Sequence, residues 1–179
     1  MDKEPARTEE RLSVGGIKLS PELVLFNYSR HVHQACALLP TLRTLSHQQI
    51  NIFFLSLARH GPEDTVTTSF CVLPEFRTST MAALTAMNTT DNNITSCSNV
   101  GVLSIYPHRH NLSLLGKVLS TLAGQGVPIH GLCTSISALS ILTDFKEFDA
   151  AVTALAGVLD LPPNHSPFRQ EFRIRQICS

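Results

Sequence analysis

The sequence predicts an α+β fold that is made of two consecutive units of similar plan. Two short apolar runs that end in tyrosine, residues 24–28 and 102–106, lie 78 positions apart. Each run is followed by a His-x-His pair, by a helical stretch that contains Leu-x-Thr-Leu, and by a segment with isoleucine. Self-similarity at a fixed period indicates two copies of one structural unit, and this period favours small tandem domains over a solenoid.

Length and composition agree with two small units. The chain has 179 residues, of which 43% are hydrophobic and 16% are charged, which is enough apolar material for a core. The net charge is zero, so neither nucleic acid nor a membrane surface is an expected partner. The first residues are polar and the five cysteines are scattered, which predicts a cytoplasmic protein without disulfides. No motif points to a cofactor.

The first unit is predicted over residues 14–98, after a flexible arm at residues 1–13. Its strands are expected at residues 14–19, 23–28, 50–58, 65–73 and 94–98, and its helices at residues 32–45 and 76–87. The turn residues at 60–64 predict a hairpin between two of these strands. Pro40 lies inside the first predicted helix and is expected to kink or end it.

The second unit is predicted over residues 99–179. Strands are expected at residues 100–106, 129–137, 138–143 and 172–175, and helices at residues 111–124 and 148–159. Asn111 is a good N-cap residue for the first of these helices. Each unit therefore reads β-α-β-β-α-β, which predicts ferredoxin-like units packed side by side, each with an antiparallel sheet and helices on one face.

Several segments resemble the ACT domains in the regulatory region of aspartate kinase. The helix that ends in glycine is followed by Gly-Val-Pro-Ile-His-Gly-Leu-Cys-Thr-Ser at residues 126–135, by Leu-Ser-Ile-Leu at 139–142 and by Ala-Val-Thr-Ala-Leu at 151–155. Val-Gly-Gly-Ile at residues 14–17 is similar to the strand with which that region begins. The resemblance implies that this strand is lent to the sheet of the second unit.

The resemblance implies a regulatory function and no enzymatic activity. The sequence has no glycine-rich phosphate loop, and the two units use up its length. The expected function is that of a non-catalytic module that binds a small amino acid and controls an amino-acid pathway enzyme of the aspartate kinase kind. Exposed sheet edges favour a homodimer.

The expected effector site lies at the turn before the first helix of each unit. The family's Pro-Gly is replaced there by Arg30, His31 and His33 in one unit and by His108, His110 and Asn111 in the other. Free N–H groups at a helix N-terminus can bind a ligand carboxylate, and His or Arg adds donors. The equivalent positions on the following strands, Asn51 and His130, are expected to contact the ligand, as is the nearby Ser135.

Two alternatives remain open at this point. Loss of the Pro-Gly turns is consistent with an interaction subunit whose effector site is degenerate. Residues i and i+2 of an extended segment point to the same side, so the two His-x-His pairs could instead form a metal sensor.

Overall fold

The computed structural model describes residues 11–31, 38–60, 65–87, 94–107, 111–135 and 137–163. Four α-helices lie in these residues: α1 (Leu38–His47), α2 (Arg77–Met87), α3 (Leu112–Gly124) and α4 (Phe148–Val158). Short 3₁₀ helices, Pro74–Phe76 and Phe145–Glu147, precede α2 and α4. Nine strands are described: β1 (Leu12–Ser13), β2 (Gly16–Leu19), β3 (Leu23–His31), β4 (Phe54–His60), β5 (Thr65–Val72), β6 (Ile94–Tyr106), β7 (Gly131–Thr134), β8 (Leu139–Asp144) and β9 (Leu159–Asp160).

Seven strands form one antiparallel sheet. The strands follow the order β4-β5-β3-β6-β8-β7, and β2 pairs with β6 as well. The thirteen-residue strand β6 pairs with β3 through residues 94–100 and with β8 through residues 100–105. We call β4, β5, β3 and the start of β6 the first half of the sheet, and the rest of β6 with β2, β8 and β7 the second half. The predicted α+β class with an antiparallel sheet is confirmed.

Three apolar clusters hold this arrangement together. The first half packs against α1 and α2, and the second half packs against α3 and α4. Alternate residues of a strand point to opposite faces, so the strands of both halves also supply a third cluster on the face away from the helices. This joining cluster contains Leu23, Leu25, Phe54, Cys71, Val100, Val102 and Leu142.

Strand β6 changes its pairing at a bulge. Leu23 pairs with Val100 whereas Leu25 pairs with Cys97, so β6 carries one more residue than β3 between these two pairs. Asn99 lies in this interval with φ +60°. An extra residue in one strand bends it and increases its twist. The predicted boundary between residues 98 and 99 therefore falls inside a strand that serves both halves.

The ends of α1 and α3 have the same geometry at positions 77 apart. Gln49 and Gly126 both have positive φ, 56° and 69° respectively. The residue after each of them donates a hydrogen bond back to the helix: Ile50 N–H to Leu45 O at 2.9 Å, and Val127 N–H to Leu122 O at 3.0 Å. A left-handed residue with such backward hydrogen bonds is a common way to end a helix.

The predicted alignment of the two copies is therefore wrong by one residue. Val24, Phe26 and Tyr28 face the helices of the first half. In the second half, the residues of β6 that face the helices are Leu103 and Ile105. A shift of 78 would match Tyr28 with Tyr106, which points to the other face. The shift of 77 also matches Leu-x-Thr-Leu at residues 42–45, not 39–42, with the copy at 119–122.

Changes at the two helix ends test this correspondence. We expect Gly126→Ala to lower the free energy of unfolding by about 1 kcal/mol, because an L-residue is strained at positive φ. Gln49→Gly should raise it by about 0.5–1 kcal/mol for the same reason. Urea denaturation measures both, with Gly124→Ala as the control because this glycine lies two residues away without positive φ and with open space around it. Equal effects of Gly124→Ala and Gly126→Ala would contradict the correspondence.

Some predicted bounds differ from the structure. The described part of the first helix runs from Leu38 to His47, so Pro40 does not end the helix. Leu12 and Ser13, which the prediction assigned to the arm, pair with β9. The rest of the arm up to residue 10 and the predicted strand at 172–175 lie outside the described residues.

Candidate functional site

The first half of the sheet separates Asn51 from the turn after β3. Phe54 and Leu25 both pair with Cys71, so Asn51 lies near the start of β3. His31 is the last residue of β3, six residues beyond Leu25, which is a distance of about 20 Å along a strand. Within one chain, Asn51 therefore does not meet a ligand beside Arg30 and His31 as predicted.

The second half separates His130 from Asn111 in the same way. Leu139 pairs with Ile105 and with Thr134, so Ser135 and the turn after Tyr106 lie at one end of this half. His130 N–H donates to Leu142 O at 2.8 Å, which places His130 toward the opposite end. The structure brings Ser135 to the end at which α3 begins and leaves His130 at the junction of the two halves.

Asn111 is the N-cap of α3. Its Oδ1 accepts hydrogen bonds from Ser113 N at 2.9 Å and Leu114 N at 3.2 Å. These are two of the N–H groups that the sequence offered to a ligand carboxylate, and Asn111 already binds them. The prediction that Asn111 is an N-cap is confirmed, whereas the prediction of free donors at this helix is wrong for these two groups.

Loss of this cap has a measurable cost. We expect Asn111→Ala to lower the free energy of unfolding by about 1 kcal/mol, because two N–H groups lose their acceptor. Asn111→Asp keeps the acceptor and should remain within a few tenths of a kcal/mol of the unchanged protein. Thermal or urea denaturation distinguishes the two variants, and equal losses in both would show that the cap contributes nothing.

Ser135 stabilises a turn, and Asn51 lines a small hollow. The Ser135 hydroxyl accepts from Ala138 N at 3.1 Å and stabilises the turn between β7 and β8. Asn51 is exposed and lines a hollow of about 200 Å³ beside the end of α1. His33, His108 and His110 lie outside the described residues, so their predicted roles stay predictions.

His130 forms an ion pair when it is protonated. Its Nε2 lies 2.7 Å from Asp144 Oδ1, and both side chains are about one-third exposed. The backbone beside this pair is fixed by the Thr143 hydroxyl, which donates to Pro128 O at 2.6 Å. His130 is therefore held against the end of β8, far from the helix end at which the sequence placed it.

A cleft that the sequence did not predict lies next to Asp144. It has a volume of about 500 Å³ and is lined by Glu22, Ser98, Asn99, Asp144, Phe145 and Lys146. The signals for it were weak: an asparagine followed by valine in an apolar strand, and an aspartate at a strand end. Its residues become neighbours only through the pairing of β6 with β3 and β8.

The described cysteines differ in reactivity. Cys71 is fully buried, and burial raises the pKa of its thiol to about 12, whereas Cys97 and Cys133 are exposed. We expect iodoacetamide at pH 8 to modify Cys97 and Cys133 and to spare Cys71 in the folded protein, because the thiolate is the reactive form. Mass spectrometry of the digested protein measures this.

The same shift predicts how stability depends on pH. The unfolded Cys71 thiol ionises near pH 9.0, whereas the folded thiol keeps its proton until about pH 12. The folded state binds more protons in this interval, so the contribution of Cys71 to stability falls from about pH 9 upward. Rapid alkylation of Cys71 in the folded protein at pH 8 would contradict the burial of its thiol, and with it this dependence of stability on pH.

Neither a metal-site cluster nor a membrane-spanning helix is found among the described residues. No group of three or more His, Cys, Asp and Glu side chains there has the arrangement of a metal site. No helix among them is long and apolar enough to cross a membrane.

Comparison with known proteins identifies the fold. The chain is similar to the ligand-free regulatory subunit of aspartate kinase from Thermus thermophilus, with a TM-score of 0.72 and 17% identity over 82% of this chain and 99% of that one. A putative C-terminal regulatory domain of aspartate kinase from Porphyromonas gingivalis W83 gives a TM-score of 0.61 and 12% identity over 80% and 96% of the two chains.

Comparisons of sequence alone give no match. No family model matches the chain, and no curated protein matches it either. Identities below 25% over solved structures establish a shared fold and do not by themselves carry function. The resemblance predicted from the sequence is thus confirmed in structure: this chain has the fold of the regulatory subunits of aspartate kinase.

Proposed function

We propose that this chain is a non-catalytic regulatory module of two ACT-like units that binds a small amino acid. The observation that carries the proposal is the strand order, which is β6-β3-β5-β4 in the first half and β2-β6-β8-β7 in the second. In each half, two helices pack on one face. These strand orders support two ferredoxin-like units, in which β2, lent from the start of the chain, would supply the fourth strand of the second unit.

The enzyme under its control would be an aspartate kinase or a related amino-acid pathway enzyme. This proposal rests on the shared fold with proteins described as aspartate kinase regulatory subunits. Regulation would follow from differential affinity, because a ligand that binds one arrangement of the units more tightly shifts the equilibrium of the assembly.

Two exposed free thiols, Cys97 and Cys133, are consistent with the cytoplasm, where thiols stay reduced.

We place the amino acid at the turns that follow β3 and β6. Arg30, His31 and His33 would supply donors at the first turn, and His108 and His110 at the second. Because Asn111 already caps α3, the first turn is the better candidate for binding a carboxylate. Replacement of His31 by alanine should weaken the binding of the amino acid, and an unchanged affinity would contradict this location of the site.

A homodimer would bring Asn51 back to this site. Strand β4 is an edge strand, and its Leu55 and Leu57 are 39% and 54% exposed. Antiparallel pairing of two β4 strands would place the start of one beside the end of the other. Asn51 of a second copy would then approach the end of the sheet that carries His31.

A thermal-shift screen against the twenty amino acids and divalent metals tests the proposal. Stabilisation by one or a few amino acids is the expected result, because a ligand that binds only the folded state raises the melting temperature. Stabilisation by zinc or nickel that is lost in His108→Ala would support the metal sensor instead. Absence of any shift would contradict amino-acid binding.

The second candidate is an interaction subunit without an effector. The cap formed by Asn111 favours it, because the donors that a ligand carboxylate would use at α3 are occupied. In that case the chain would bind its partner enzyme with an affinity that no amino acid changes. Titration of the partner in the presence and absence of amino acids separates this candidate from the first.

A further inference from the structure

We infer that the cleft between the two halves of the sheet is a binding site for a small zwitterion of the α-amino acid type. The inference rests on the proposed function for the class of ligand, but its location differs from the turns after β3 and β6. The cleft is defined by Glu22, Ser98, Asn99, Asp144, Phe145 and Lys146.

The position of the cleft is the first argument. In the described residues the chain passes between the halves twice, from β2 to β3 through residues 20–22 and along β6 at the bulge. Glu22 belongs to the first passage and Asn99 to the second, and both line the cleft. Ser20 ties the passages together, since its N–H donates to Val102 O at 2.9 Å and its Oγ accepts from Val102 N at 2.9 Å.

The backbone of Asn99 is the second argument. Its φ of +60° is uncommon for a residue other than glycine, and it lies at the bulge of β6. Bulges often occur next to functional sites, where they redirect a side chain, and strained residues concentrate at such sites as well. Here the bulge brings Ser98 and Asn99 to the wall of a 500 Å³ cleft.

The chemistry of the lining is the third argument. Glu22 and Asp144 contribute carboxylates, and Lys146 contributes an ammonium group that lies 3.7 Å from Glu147 Oε1 and is largely exposed. A ligand ammonium group would bind the carboxylates, and a ligand carboxylate would bind Lys146. The Ser98 hydroxyl and Asn99 amide can supply further hydrogen bonds.

His130 would respond to the ligand. Its Nε2 lies 2.7 Å from Asp144 Oδ1, and Asp144 lines the cleft whereas His130 does not, so a ligand ammonium group and His130 compete for the same carboxylate. His130 is adjacent to Gly131, where a Cβ would lie 3.2 Å from Phe54 Cζ in the first half. A ligand that displaces His130 from Asp144 would therefore act next to the contact between Gly131 and Phe54, and could in this way change how the two halves are arranged.

Nuclear magnetic resonance of the full chain locates the site. We use each of the twenty amino acids as a probe and follow backbone amide shifts. We expect at least one amino acid to move the amide signals of Asn99, Asp144 and Lys146 in a saturable way. An amino acid that binds but moves only signals at the turns after β3 and β6 would overturn the inference and leave the proposed function intact.

Substitutions give the second arm of the test. Lys146→Met and Glu22→Gln should each weaken the binding of that amino acid by about tenfold, because each removes one charge-assisted contact. Glu75→Gln is the matched control, since Glu75 occupies the place in its 3₁₀ helix that Lys146 occupies in the other. His31→Ala should leave binding at the cleft unchanged.

The remaining outcomes are equally decisive. Unchanged affinity in both cleft variants would overturn the inference, as would amide shifts at the cleft that ammonium chloride or calcium chloride alone reproduces. If no amino acid binds the chain at all, the cleft site is excluded together with the proposed amino-acid site, while association with a partner enzyme is decided separately.

Discussion

Replacement of Phe54 by alanine should lower the free energy of unfolding by about 3–5 kcal/mol. Phe54 is 7% exposed and belongs to the joining cluster, and its ring occupies the space beside Gly131 of the opposite half. Its loss would leave a cavity where the two halves meet. Urea denaturation monitored by circular dichroism measures the effect.

The neighbouring residue provides the control. Leu55 follows Phe54 on the same strand but is 39% exposed, on the other face of the sheet. Leu55→Ala should cost less than about 1 kcal/mol, since little apolar area is lost from the interior. A Phe54→Ala effect no larger than the Leu55→Ala effect would contradict the packing of the halves through this cluster.

Replacement of Gly101 by alanine should destabilise the protein by about 1–3 kcal/mol, the usual cost of overpacking a core. A Cβ at this position would clash with Phe148 Cζ and would lie 3.2 Å from Phe145 Cδ2. Gly101 is buried in β6 and pairs with Thr143, so the backbone has little freedom to move away.

A second glycine should respond in the opposite direction. Gly116 lies in α3 with no atom within 4 Å of an added Cβ. Gly116→Ala should therefore stabilise the protein by about 0.5–1 kcal/mol, because alanine is the better helix former. Denaturation of both variants gives the comparison, and effects of the same sign would contradict the close packing of Phe148 on β6. Partial rescue of Gly101→Ala by Phe148→Leu would identify the contact responsible.

Much of the fold could be predicted from local signals. The apolar spacing of α3 and the N-cap at Asn111 gave its position because both act within a few residues. Residues 14–17 resemble the first strand of the family's regulatory region, which predicted that they pair with the second unit and not with the strand that follows them. In the structure, β2 pairs with β6. The continuity of β6 could not be predicted, because Asn99 interrupts the apolar pattern at the bulge.

The candidate site was harder to predict for a related reason. The predicted shift of 78 between the two apolar runs differs by one residue from the shift of 77 at which the ends of α1 and α3 agree, and one residue reverses the face of every strand side chain. The predicted equivalence of Asn51 and His130 requires a shift of 79, whereas the shift of 77 matches Asn51 with Pro128 and His130 with Phe53. The cleft depends on register and on a bulge, which leave little trace in composition.

The most direct test of the central claim is the activity of a partner enzyme. The aspartate kinase catalytic subunit of the same organism would be assayed alone, with this chain, and with this chain and each amino acid. We predict that the chain binds the enzyme and that at least one amino acid changes the activity of the complex by altering its affinity for a substrate about fivefold or more, which corresponds to a typical coupling free energy of 1–3 kcal/mol. No association, or an activity that no amino acid alters in the complex, would contradict a role as an amino-acid-responsive regulatory module.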